Sequence, residues 1–301
     1  MSFAVKRFNV VKIILNKTIF DENVIHIILT EYWKDLKNKR KVLLDWIKPE
    51  QLSWNNLSNN PNAMELLKER VEYEDSLPID EYLNLSDKID WEYFSKICDD
   101  MNILEEHIFQ LDSGSIGLNL NAIEYIKKYI YKADWDALSS NPNAIDLLLE
   151  NKDKICWDQL SLNPNAMDLL KQNKGKINWV GLSCNKNAID LLEQYKSNID
   201  WKFISLNPNA IDLIKQRIKY ENKFTPYVYN NIKNKIDWSF LSTNPSVIDI
   251  LKNNPDKIDW SELSTNPNAI ELLKNNKDKI DWKSLAENSS IFEDEPIPST
   301  I

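Results

Sequence analysis

Asp134-Trp-Asp-Ala-Leu-Ser-Ser-Asn-Pro-Asn-Ala-Ile-Asp-Leu-Leu148 is restated, with few changes, at almost every recurrence of tryptophan in this chain. Trp135, Trp157, Trp179 and Trp201 stand 22 residues apart. Carried outward, the register runs Trp54, Trp91, Ser113, Trp135, Trp157, Trp179, Trp201, Trp238, Trp260 and Trp282, ten copies of which only the third lacks the indole. Two steps, Trp54 to Trp91 and Trp201 to Trp238, are 37 residues long, 15 more than the period. A fixed short period means supersecondary units that cannot bury their apolar faces alone and do so by stacking on their neighbours.

With tryptophan as position 0, the residue before it is Asp in seven copies (Asp90, Asp112, Asp134, Asp200, Asp237, Asp259, Asp281), Asn178 in another and Ser53 in the first. All can accept from the free amides of a helix start. Asp259-Trp-Ser-Glu262 adds the glutamate of a capping box. Position 3 is always apolar, as in Leu57, Phe94 and Leu138, so it shares a helix face with position 0. Position 6 is Asn in nine copies, and in six of them (Asn60, Asn141, Asn163, Asn207, Asn244, Asn266) proline follows. Asn as N-cap with Pro at the first helical position starts a second helix and ends the first by position 5. Apolar positions 9, 10 and 13 then give a helical stripe of about three turns.

The expected fold is all-α: an α-solenoid of ten 22-residue helix-turn-helix repeats with two 15-residue insertions. Residues 1–50 read as an N-terminal helical cap, with helices over Asp21 to Trp33 and Lys41 to Trp46; residues 51–292 are the array, and 293–301 an acidic disordered tail. A second reading of the N-terminal segment is a degenerate F-box-like helix that docks a partner. Units spaced about 8 to 10 Å apart make a rod or arc on the order of 100 Å long. The nine tryptophans, Trp54, Trp91, Trp135, Trp157, Trp179, Trp201, Trp238, Trp260 and Trp282, are the expected repeat core. At roughly 150 to 250 Å² per buried indole, Trp179→Ala is expected to cost about 3 to 5 kcal/mol.

Composition narrows the function. No apolar run approaches the roughly 20 residues a membrane helix needs, and the N-terminus has no signal-peptide core; a cytoplasmic protein without membrane partners is expected. Cys98, Cys156 and Cys184 fall at different registers and form no Cys-x-x-Cys pair, so neither a disulfide framework nor zinc is indicated. His26 and His107 lie far apart in apolar surroundings, and four glycines offer no phosphate cradle. No catalytic, cofactor-binding or metal-binding residue is assigned. Position 11 is acidic in eight copies (Glu65, Glu124, Asp146, Asp168, Asp190, Asp212, Asp249, Glu271), where the dipole of the second helix accounts for it. Position −3 is Lys in seven (Lys88, Lys132, Lys154, Lys176, Lys235, Lys257, Lys279), a rail on the return loops that reads as a solvated edge and, secondarily, as a nucleic-acid contact. The net charge of −9 disfavours non-specific binding to nucleic acid.

The two insertions match: Lys68-Glu-Arg-Val-Glu-Tyr-Glu74 aligns with Lys215-Gln-Arg-Ile-Lys-Tyr-Glu221, and Tyr82 with Tyr229. They concentrate Tyr73, Tyr82, Tyr220, Phe224, Tyr227 and Tyr229 outside the regular core, candidates for binding a partner. Packing onto adjacent units is the simpler use of the same residues.

The phrase Asp-Trp-x-x-Leu-Ser-x-Asn-Pro-Asn-Ala-Ile-x-Leu-Leu, nearly intact at Asp134 to Leu148 and at Asp259 to Leu273, resembles the repeat of large paralogous protein sets in nucleocytoplasmic large DNA viruses. The likeness covers roughly residues 45 to 290; the third unit, Cys98 and Lys186 depart from it. It implies a viral protein of the host cytoplasm or virus factory. The functional expectation is a non-enzymatic, monomeric scaffold that binds a viral or host protein. Alternatives are a virion-associated structural protein and a scaffold subunit of an RNA-binding or translation-initiation assembly.

Overall fold

The structure is a computed structural model and describes residues 41–294. The fourth unit shows how the phrase folds. A short α-helix spans Trp135–Ser140, a 3₁₀ turn Pro142–Ala144, a second α-helix Ile145–Glu150 and a 3₁₀ return Lys152–Lys154. The chain is an all-α solenoid of such units. Each of the seven aspartates at position −1 accepts from backbone amides of the helix it opens; Asp134, for example, takes the Ala137 N–H at 3.0 Å. The second helix is shorter than the stripe implies, because its first turn is 3₁₀ rather than α.

The expected capping box at Asp259 forms by half. Asp259 accepts from Ser261 N–H and Glu262 N–H, but its own N–H donates to Ser242 Oγ of the preceding unit, so it is already engaged across the joint.

Joints between units are polar inside an apolar shell. Nine buried asparagines at position 6 (Asn60, Asn119, Asn141, Asn163, Asn185, Asn207, Asn244, Asn266, Asn288) each donate twice from Nδ2 to backbone carbonyls of the preceding unit. Asn185, for instance, reaches Ser161 O at 3.1 Å and Asn163 O at 2.9 Å. Their Oδ1 atoms accept locally, as the six predicted caps require: Asn62, Asn143, Asn165, Asn209, Ser246 and Asn268 donate their N–H groups to them. One side chain therefore starts its own helix and closes the carbonyl ends of the helix before it. Position 4 serine adds a second bridge: Ser161 Oγ donates to Trp157 O and accepts the Asn178 N–H of the next unit at 3.0 Å. Around these bonds pack Leu138, Leu160, Leu182, Leu263 and their register mates, all buried.

The array closes on itself. Asn60 of the first unit donates to Ala286 O at 2.8 Å and Asn288 O at 3.0 Å of the tenth, the same two register positions that each later asparagine but Asn119 finds in the unit before it. Asn62 Nδ2 donates to Ser289 O, as Asn187 does to Pro164 O one joint after another. Strand β1 (Lys41–Leu43) pairs antiparallel with β2 (Phe292–Asp294), and Trp46 packs on Trp282 at 6.4 Å. The described residues form a ring in place of the expected open rod. First helices of successive units meet directly whereas second helices diverge, so the first helices make the tighter layer of the curve.

Closure also corrects both termini of the array. Lys41 to Leu43, read as helical, is a strand because Phe292 to Asp294 supplies its partner, with Lys41 Nζ 2.6 Å from Asp294 Oδ1. Glu293 and Asp294, read as the start of a tail, complete that ladder. The predicted helix over Asp21 to Trp33, His26 and the rest of the tail lie outside the described residues.

Candidate functional site

The two insertions are the same device built twice. Each lengthens a second helix, to Met64–Asp75 and Ile211–Glu221, and adds a short one, Ile79–Asn84 and Pro226–Asn231. Arg70 Nε binds Glu74 Oε1 at 2.7 Å, and Arg217 Nε binds Glu221 Oε1 at 2.7 Å; both carboxylates are buried. Each carboxylate also accepts a backbone amide of the returning strand of chain, Ile89 N–H or Ile236 N–H. Each guanidinium donates onward to a return carbonyl, Asp87 O or Asn234 O, and lies over an indole, Trp54 or Trp201. A buried pair whose charges meet each other and further backbone partners tolerates burial, and it pins the insertion to the ring.

The six aromatic candidates divide between inward and outward roles. Tyr82 and Tyr229 are half-buried beneath Lys88 and Lys235, whose ammoniums stand 4.6 and 4.4 Å from the ring centres. Burial raises both phenols above their ordinary value. Phe224 packs edge-on against Tyr220. Tyr73, Tyr220 and Tyr227 are 47%, 49% and 81% exposed. Beside them, Ile79 and Leu83 share one exposed face of the first insertion helix, and Val228 is exposed on the second. The structure keeps the two sets as separate patches, one on each insertion.

The lysine rail has a packing role that the sequence concealed. Lys176, Lys257 and Lys279 lie over Trp157, Trp238 and Trp260 of the unit before, at 4.4 to 4.6 Å. Such contacts favour both groups. The tryptophans themselves are half-buried and pack against the core. Position 11 carboxylates are exposed, and Glu124 pairs with Lys127 at 2.8 Å. No group of three or more His, Cys, Asp or Glu residues suited to a metal occurs among the described residues. His107 stacks on Trp91 at 4.4 Å with Nε2 3.2 Å from Asp75 Oδ2, a structural use. Burial pushes the Cys98 and Cys184 thiols up to about 11, which leaves them protonated and inert near neutral pH.

The third unit holds what the repeat reading passed over. Ser113 replaces tryptophan, and Gly117 replaces the bridging serine, letting the two first helices approach until a Cβ there would stand 2.8 Å from Ala137 Cβ. A cavity of about 100 Å³ opens at Ser113. Comparing register positions across all ten copies, and not only the conserved ones, finds it.

No helix among the described residues is long and apolar enough to cross a membrane. No protein-family model, curated protein or solved structure matches the chain.

Proposed function

We propose that this chain is a non-enzymatic scaffold that binds a protein partner through surfaces where its repeat is interrupted. The observation that carries this is the distribution of side chains. The repeated Trp, Ser and Asn and the repeated Asp caps are engaged within or between units, whereas each insertion sets exposed aromatic and aliphatic side chains side by side, Tyr73 with Ile79 and Leu83 and Tyr220 with Tyr227 and Val228; other exposed apolar side chains, Phe109 and Tyr131 foremost, stand on the return loops. Aromatic residues exposed beside aliphatic ones, on elements held rigidly by a buried ion pair, suit the anchors of a protein interface. A viral origin is part of the proposal and rests on the likeness of the repeated phrase.

The reading as a subunit of an RNA-binding assembly gains less from the geometry, since three rail lysines face indoles. The test is gentle crosslinking of the tagged protein in its native host, with mass spectrometry of what co-purifies, against a Tyr220→Ala, Tyr227→Ala variant. One dominant partner lost in the variant is the expected result. Recovery only with particle proteins, unchanged in the variant, would replace the scaffold by a virion-structural role.

A further inference from the structure

The third unit differs from its neighbours in one respect that has a chemical consequence. Elsewhere the place of position 0 is defined by what touches the indole. The lysine of the following return lies over its ring, as Lys176 does over Trp157, and position 16 packs against it, as Tyr195 does on Trp179 at 5.3 Å and His107 on Trp91. In the third unit the same register positions, Lys132 and Tyr129, line the 100 Å³ cavity together with Leu111, Ile116, Tyr125 and Ile126. Ser113 itself is exposed, so the cavity opens to solvent. The walls of the indole site are present and the ring is missing.

A second observation singles out the same place. Position −4 is polar or glycine in eight copies, as at Asp87, Asp153, Gly175, Asn234, Asp256 and Asp278. In the two returns that flank the third unit it is Phe109, 99% exposed, and Tyr131, 77% exposed. These are the chain neighbours of the lining residues Ile108 and Lys132. Two aromatics standing in water, each next in sequence to a residue that lines an unfilled, mainly apolar cavity, are exposed apolar surface of a kind that marks a binding site.

We propose that the third unit is a receptor for a planar aromatic ring of the indole class, supplied from outside the chain and seated where the other units seat their own tryptophan. Dry apolar cavities of about 150 Å³ take up benzene, so this smaller cavity of about 100 Å³, open at the Ser113 side, seats one ring of a fused pair in part and leaves the rest at its mouth in solvent. Lys132, whose ammonium stands 5.8 Å from the Tyr131 ring centre, lines the cavity and on binding would turn to supply the cation over the ring face. The ring class does not depend on the scaffold reading; only its source does, either a free aromatic compound or a tryptophan side chain of a partner.

The test is a titration of the full-length protein with 5-fluoroindole, followed by fluorine NMR and by the methyl resonances of isoleucine-labelled protein. The expected result is a saturable shift with Kd on the order of 0.1 to 1 mM, as befits so small a ligand, with the Ile116 and Ile126 methyls moving and that of Ile204 in the seventh unit still. Ser113→Trp should raise the thermal midpoint and weaken 5-fluoroindole binding at least tenfold. Should that variant fail to fold, the methyl pattern in the unaltered protein decides alone. No saturable shift, or shifts spread evenly over the isoleucines, would overturn the proposal. N-acetyltryptophanamide serves as the second arm: the same methyl shifts assign the ring to a protein side chain, and binding of 5-fluoroindole alone assigns it to a free compound.

Discussion

The joint between the fifth and sixth units and the joint that closes the ring use one recognition rule and differ in everything added to it. In the first, Asn185 takes the two carbonyls and Ser161 Oγ takes the Asn178 N–H. In the second, Asn60 takes the same two carbonyl positions, but Ala286 stands where the bridging serine would be. The helix of the first unit is capped from elsewhere: Asp87, at the end of the insertion, accepts from Ser53 Oγ and from the Trp54 and Asn55 amides. Glu287 accepts from Asn56 and Asn59, and the β1–β2 pair and Trp46 cover the seam. The asparagine bridge is thus the part of a joint that the closing seam shares with the array, where only the second unit, with Ile97 at that position, goes without it. The serine bridge occurs at seven joints within the continuous array, Gly117 removes it after the third unit, and the closing joint replaces it with contacts from chain that does not repeat.

The most forceful test of this equivalence removes the shared element. Asn185→Ala deletes two donors to buried carbonyls and one cap acceptor, and should lower stability in urea by about 3 to 4 kcal/mol. Asn60→Ala should cost the same; a loss below about 1 kcal/mol would mean that the ring is open in solution.

Tryptophans on the two sides of the comparison should separate next. Trp179→Ala is expected to cost about 2 to 3 kcal/mol, at the low end of the sequence expectation because the indole is only half-buried, and the thermal midpoint would report it. Trp46→Ala should cost about 1 to 2 kcal/mol and speed amide exchange selectively at Leu44, which donates to Ile291 O across the seam. Uniform acceleration around the ring would contradict a local seam.

Serine gives a smaller and more pointed contrast. Ser183→Ala strips the acceptor from Asp200 N–H and should cost about 1 to 2 kcal/mol. Ala286→Ser should stabilise by about 0.5 to 1 kcal/mol, since it offers Ser53 N–H the acceptor that its register mates have. A destabilised variant would show that the seam is packed too tightly for a hydroxyl.

The smallest effect concerns charge near the seam. Burial first, then Asp259 and Glu287, raise the Glu262 carboxyl above its ordinary value. A folded-state pKa above the unfolded one means that the native state binds the extra proton, so this group favours folding more as pH falls through that raised value and less as pH rises above it. Glu262→Gln should remove that slope and slightly raise the midpoint near pH 7, measured by thermal melts across the acidic range.

The unit itself was legible because its signals are local: Asp before Trp, Asn before Pro, and apolar positions 3, 10 and 13 each act within one or two helical turns. The six Asn caps all accept as their position requires. Their second function, donating across the joint, was not legible, because the carbonyls it satisfies are backbone atoms without a sequence signature. The binding candidates were legible only in kind. Aromatic content marked the insertions, yet the exposure that separates Tyr227 from Tyr229 depends on Lys235 lying over the ring of Tyr229 and Trp238 hydrogen-bonding its hydroxyl, while Tyr227 stands in solvent. The vacancy at Ser113 stayed hidden for a different reason: a missing tryptophan reads as decay of the repeat until Tyr129 and Lys132 are seen still enclosing its place.

By itself the sequence determined the unit, its period, its caps and the apolar stripe, since each follows from backbone and side-chain preferences over a few residues. Only the tertiary structure decided that ten units make a ring. Closure is the sum of ten small rotations, about 36° each if shared evenly, and each rotation arises from how closely a first helix approaches the next relative to the second helices outside it. That angle is a property of packed pairs distant in sequence. The strand that seals the ring depends on it as well, for Lys41 and Asp294 are brought together by the curvature of everything between them.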